Sequence, residues 1–182
     1  MRGTVLLLLG LIAATSTIAM GQTRSRRHSY LMNAMPVTSR CRGADLSVRH
    51  MTEDAAMGGQ NTVDYAFKNE STSPCTLMGY PQFEFLDKAG KVRPRGRAIN
   101  SQHLPGDESK RPPQLVTIEP DKEAWFRIYY NSGGAGYVGK PCPVSSMVRI
   151  SAPGTTRSFV LPERITSCRD VKVSAVRSGL PQ

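Results

Sequence analysis

The chain has 182 residues, with 24 Lys or Arg against 14 Asp or Glu and a formal net charge of +10. Five of the cations precede Cys41 and no acid does, so residues 41–182 hold 19 cations and 14 acids, a net +5. That modest excess favours anionic surfaces over cationic ones and supports no nucleic-acid motif, while a folded unit of 142 residues is one domain able to bury an independent core.

The N-terminus, MRGTVLLLLGLIAATSTIAMGQ, places one arginine before an apolar run from Val5 to Ala14 and small residues at Ala19 and Gly21 around Met20. This predicts a secretory signal over residues 1–21 with cleavage before Gln22, and so a secreted or periplasmic protein. The apolar core is about ten residues, short of the roughly 20 a helix needs to span a bilayer, so the mature chain is expected to carry no transmembrane segment. The alternative is an anchor formed by an uncleaved signal; Arg24, Arg26 and Arg27 point that way, because positive charge beyond an apolar run disfavours translocation. No cysteine stands at the exit for lipid attachment. Residues 22–40 contain no acid and no sustained periodicity, and read as a basic, flexible leader. Within it His28, Met32 and Met35 have a spacing that would share one helical face, and His50, Met51 and Met57 follow later; such ligands suit Cu(I). Pro36 interrupts the first group and no H-x-M strand pair accompanies it, so neither metal nor other cofactor is expected.

From Cys41 onward the period is two. Ala44, Leu46, Val48 and His50 alternate with Asp45, Ser47 and Arg49; Val63, Tyr65 and Phe67 alternate with Asp64, Ala66 and Lys68; EDAAMGGQN between them is turn material. Further strands are predicted over 82–87 (QFEFLD), 114–120 (QLVTIEP) and 123–131 (EAWFRIYYN), in SSMVRIS and SFVLPE around the turn APGTT, and over 170–176 (DVKVSAV). No window of eleven residues shows helical apolar spacing, and 13 prolines and 16 glycines punctuate the chain. The expectation is an all-β, antiparallel sandwich of about seven or eight strands occupying residues 41–182. All four cysteines, an even number in an exported chain, are expected in disulfides. Antiparallel hairpins bring Cys41 to Cys75 and Cys142 to Cys168 at their open ends; a four-cysteine zinc site would need a C-x-x-C pair, which is missing.

The spacing G-x-G-x-x-G occurs at Gly134, Gly136 and Gly139. A dinucleotide loop needs a helix after it to hold the pyrophosphate, and Pro141 and Pro143 exclude one, so no dinucleotide is expected.

The segments YAFKNESTSPC and CTLMGYPQFEFLD combine a strand ending F-x-N-x-S, a cysteine, L-x-GYP and an apolar strand ending Leu-Asp. With the opening Cys41 and Leu46, the EPDKEA run at Glu119 to Ala124, and the late Cys142 and Cys168, they resemble the bacterial domain-of-unknown-function 4232 family (DUF4232) of exported proteins. The resemblance covers Cys41 to about Val176. It implies an immunoglobulin-like sandwich outside the cytoplasm with no established reaction, and supplies no catalytic residue; relatives carry a lipid-attachment cysteine or other anchor that this chain lacks.

Function then rests on the residues. A catalytic arrangement would be a small secreted hydrolase with a loop site at His103, Asp107 and Glu108, although loop histidines and acids are mostly solvated. His50 reads as a strand-end residue, and the cysteines leave no thiolate. The stronger candidate is a binding surface. Arg93, Arg95 and Arg97 fall two apart and project from one face when extended, with Lys88 and Lys91 nearby; Trp125, Arg127 and Tyr129 are expected to point outward from the strand that buries Ala124, Phe126, Ile128 and Tyr130. Edge protection by Arg, Lys and Pro, with Trp125 under a loop, accounts for the same residues without a ligand. The reading is a non-catalytic domain whose partner is an envelope polymer, an anionic lipid or a protein.

Overall fold

The computed structural model describes residues 38–101, 112–133 and 141–181, with only the backbone of Pro94 and Arg95. The signal, most of the leader, His28, Met32, Met35, His103, Asp107, Glu108 and the three spaced glycines lie outside the described residues.

The first hairpin forms as the alternation predicts. β2 (Leu46–Ala56) and β3 (Gln60–Asn69) pair antiparallel, with a bulge between His50 and Glu53. Gly58 and Gly59 turn the chain at φ +80° and +74°, and a Cβ on Gly59 would lie 2.8 Å from the backbone of Gly133, so both dihedral and neighbour demand glycine. β9 (Glu123–Asn131) lies along β3, and β12 (Lys172–Val173) and β7 (Ile99–Asn100) complete a sheet of order β2-β3-β9-β12-β7.

The facing layer is a sheet of order β11-β10-β5-β6, from β5 (Gln82–Leu86), β6 (Val92–Arg97), β10 (Met147–Ser151) and β11 (Ser158–Pro162). A short third sheet joins β1 (Ser39–Arg40), β4 (Cys75–Leu77) and β8 (Val116–Ile118). The fold is all-β, and its long pairs are antiparallel; two short pairs, β1 with β4 and β12 with β7, run parallel. Pairing begins at Ser39, inside the stretch read as leader. The strand expected over 170–176 is regular only at Lys172 and Val173, although its backbone continues to bond β9 through Ser174 and Arg177.

The core lies between the layers, where Tyr65, Phe67, Phe83, Phe85, Phe126 and Ile150 are fully buried. Rings cross from one layer to the other at Tyr65–Phe83, 5.6 Å between centroids, and at Phe85–Tyr130, 6.3 Å edge-on. β6 joins β5 through a register shift, and there Gly96 is obligatory: a Cβ would sit 2.9 Å from the carbonyl oxygens of both Arg93 and Phe85.

Both expected disulfides are present, Cys41–Cys75 and Cys142–Cys168, with Cα atoms 4.8 and 4.7 Å apart. They close loops of 34 and 26 residues. Converting either pair to alanine should lower unfolding free energy by about 3.5 kcal/mol on the loop-entropy account, measured by urea denaturation. A loss under about 1 kcal/mol for both pairs would show that the hairpins close without help from sulfur.

Candidate functional site

The expected outward stripe is largely absorbed into the fold. Trp125 and Arg127 do point away from the inter-layer core, but they are 6% and 8% exposed, which corrects the expectation of an exposed stripe. The cause is cross-strand register. β3 sets Asp64 opposite Arg127 and Ala66 opposite Trp125, and Arg127 donates to both Asp64 carboxylate oxygens at 2.7 and 2.8 Å. The Arg127 and Arg177 guanidinium groups lie 5.5 and 5.8 Å from the Trp125 ring centroid, and Thr52 adds its hydroxyl to Asp64. Tyr129 is half-buried.

The arginine row is also corrected. Arg93 is 8% exposed and its buried Nη1 has no hydrogen-bond partner; burial pulls its pKa below the usual guanidinium value. Arg97 is exposed but bonded to Glu84, which sits opposite it and also accepts from Arg149 on the next strand. Burial alone would raise the Glu84 carboxyl, yet the hydrogen bonds from Arg149 and Arg97 outweigh it and hold the group below its ordinary range. The side chain of Arg95 lies outside the described residues. What was expected as one cationic face is thus one buried residue and one neutralised residue.

A polar cluster that sequence reasoning missed bridges the two layers. His50 Nδ1 of β2 lies 3.0 Å from Glu163 Oε1, just past β11, and the His50 ring is 5.5 Å from that of Tyr65. Tyr130 donates a 2.6 Å hydrogen bond to Glu53, placed there by the bulge in β2. Tyr65 Oη is buried with no partner, and burial first, then the charges of Glu163, Tyr130 and Glu53, drives its pKa far above the usual phenol value. Burial followed by the Glu53 hydrogen bond raises Tyr130 likewise. Phenols held neutral are poor nucleophiles, and the contacts of this cluster tie the two layers together. Among the described residues no three His, Cys, Asp or Glu side chains converge as a metal site.

An open cleft of about 690 Å³ is lined by Asp87 to Ala89, Val144 to Ser146 and Arg164. One wall is the β5–β6 turn, Asp87 to Lys91. Asp87 Oδ1 accepts the N–H groups of Ala89 and Lys91, both at 2.9 Å, so this oxygen is committed to the turn. Lys88 is exposed at its tip. Ser145, Ser146 and Arg164 form the opposite wall. Ser145 fixes it: its N–H donates to Ile165 O at 2.8 Å, its hydroxyl accepts from Ile165 N–H at 3.1 Å, and Glu163 N–H donates to Ser146 O, also at 3.1 Å. The backbone on both sides of Arg164 is therefore held, and the Cys142–Cys168 disulfide closes the same pair of segments. Ser146 N–H donates to Leu86 O at 2.9 Å, joining the walls. Among the described residues neither Lys88 nor Arg164 has an acidic partner.

Lys88 was visible as a neighbour of the arginine row, whereas Arg164 and Ser145 were not. The signal that finds them is the double register of β10, which places Met147 opposite both Leu86 and Pro162, so the residues just beyond must meet.

Residues 41–179 match a family described as a domain of unknown function (DUF4232). No curated protein matches the chain significantly.

Two substitutions separate paired from unpaired phenols. Tyr130→Phe should cost about 1.5 to 3 kcal/mol by stranding Glu53, whereas Tyr65→Phe should stabilise by about 1 kcal/mol by removing an unsatisfied buried hydroxyl. Equal destabilisation in denaturant titrations would mean that Tyr65 has an acceptor in solution. Asp64→Ala, which takes the carboxylate from buried Arg127, should cost about 3 kcal/mol or more in the same assay; a loss below about 1 kcal/mol would contradict the bidentate pair.

Proposed function

The chain belongs to the DUF4232 family, whose description assigns no activity, and we propose that it is a non-catalytic, extracytoplasmic domain that binds an anionic component of the bacterial envelope. The observation that carries this is the cleft beside the β5–β6 turn, where Lys88 and Arg164 form no salt bridge among the described residues and outnumber the one carboxylate in the lining, Asp87. Several other surface cations are matched, Arg42 with Asp45, Arg49 with Glu123, Lys68 with Glu70 and Asp121, Arg97 with Glu84, while among the described residues the exposed Arg40, Lys91 and Lys122 stand singly rather than paired across a cleft. Exposed pairs of that kind contribute little to stability, but they remove the charge from the surface available to a polyanion.

The two disulfides and the signal-like N-terminus support an oxidising compartment outside the cytoplasm. No helix among the described residues is long and apolar enough to cross a membrane. The binding role without catalysis is supported by the chemistry of the cleft, in which serine hydroxyls and two cations have no adjacent histidine among the described residues, and by the raised phenols of the inter-layer cluster.

The test is retention of the protein on anionic envelope fractions under a salt gradient. Lys88→Gln with Arg164→Gln should weaken retention at least tenfold at low ionic strength, roughly 1.4 kcal/mol or more. Lys122→Gln, in the turn before β9, should leave elution unchanged. If the double variant and the wild type elute together, the cleft is not the binding face.

A further inference from the structure

The cleft contains more than positive charge. Lys88 and Arg164 share it with Asp87, so its three ionised groups leave a single net positive charge, which matches a monoanion rather than a doubly charged phosphomonoester. Asp87 also divides its two oxygens between two tasks. Oδ1 is taken by the turn amides of Ala89 and Lys91. Oδ2 makes no hydrogen bond among the described residues, and a carboxylate oxygen can only accept. An anion presented alone would meet this oxygen as a repulsion; an anion with a hydroxyl beside it would satisfy it. The Ser146 hydroxyl, also without a hydrogen bond among the described residues, can donate or accept at the same wall.

We infer that the cleft recognises a repeating unit in which a monoanionic phosphate or carboxylate is flanked by hydroxyl-bearing carbons, the chemistry of polyol-phosphate polymers and acidic glycans. Lys88 and Arg164 hold the anion, Asp87 Oδ2 accepts from the neighbouring hydroxyl, and Ser146 bonds a second one. Ala89 and Val144, also in the lining, face the carbon skeleton between them. About 690 Å³ exceeds what one oxyanion fills and lies within the range of sites for larger organic ligands, while the open form lets a chain pass through. Ser145 acts as a positioning residue: its bonds to Ile165 fix the segment that carries Arg164, so little ordering remains to be done on binding. The inference rests on the proposed reading of the cleft as an anion site and adds the hydroxyl requirement to it.

The experiment compares binding of the full chain, at equal concentration of anionic groups, to four polymers: poly(glycerol phosphate) and polygalacturonate, which carry hydroxyls, and polyphosphate and polyacrylate, which carry a denser charge and no hydroxyls along the chain. The wild type should bind a hydroxylated polymer at least tenfold more tightly than both bare ones, and whichever of the two binds more tightly identifies the source of the anion. Asp87→Asn keeps the Oδ1 acceptor that the turn needs and removes the charge. It should tighten binding to polyacrylate and erase the preference. Ser146→Ala, which leaves the turn untouched, should reduce the preference at least threefold, with an unchanged thermal midpoint. Equal affinity of the wild type for all four polymers overturns the hydroxyl requirement and leaves the anion site standing. Absence of binding to any of them, at low salt, overturns both.

Discussion

The register of β3 against β9 is the constraint on which the molecule depends. Gln60 to Lys68 lie opposite Asn131 to Glu123 without a break, and each pair has a defined face. Tyr65 and Phe126 stack toward the core, while Asp64 and Arg127 meet on the outer face. A slip of one residue would turn Tyr65 and Phe67 outward and bring Asp64 into the aromatic core, so apolar burial and the ion pair select the same alignment. β2 follows through its hairpin, and β12 follows through the free edge of β9. The facing layer is then oriented by the ring contacts that Tyr65 and Tyr130 make with Phe83 and Phe85.

Much of this architecture was legible in the sequence because half-buried strands leave a period of two. Tyr65–Phe67, Phe83–Phe85 and Phe126–Ile128 each mark a core face, and hairpin geometry is sufficient to pair the cysteines. What periodicity does not carry is the identity of the residue across the strand. Trp125 and Arg127 alternate correctly, and the inference that they are exposed fails only because Asp64 and Arg177 cover them. Arg97 is neutralised in the same way by Glu84, 13 residues earlier. The two-residue strands β1 and β7 have no pattern of their own, since their conformation comes from β4 and β12. Half of the cleft was legible for the same reason: Lys88 belongs to a local turn, but Arg164 arrives from a hairpin 76 positions later and is placed by Ser145.

Charge is partitioned around one stretch of chain. Glu163 turns inward to His50, in reach of the neutral phenols, and Arg164 lines the cleft. Neighbours of opposite charge thus serve different surfaces, as expected where successive side chains of an extended segment alternate. The acid helps to hold the layers together, leaving the cation available. Asp87 shows the complementary economy within one side chain, with one oxygen used to shape the turn and the other left to the cleft.

The covalent crosslinks have a further consequence when the chain is under mechanical load. When the chain is pulled from its ends, the segments from Cys41 to Cys75 and from Cys142 to Cys168, with sequence separations of 34 and 26, are bypassed by the tension. Roughly 200 Å of extensible contour, at about 3.4 Å per residue, is thereby kept out of the load path. The second bypass contains β10, β11 and the segment bearing Arg164, whereas β5 and the turn bearing Asp87 and Lys88 lie between the two bypasses, so the load reaches one wall of the cleft and spares the other.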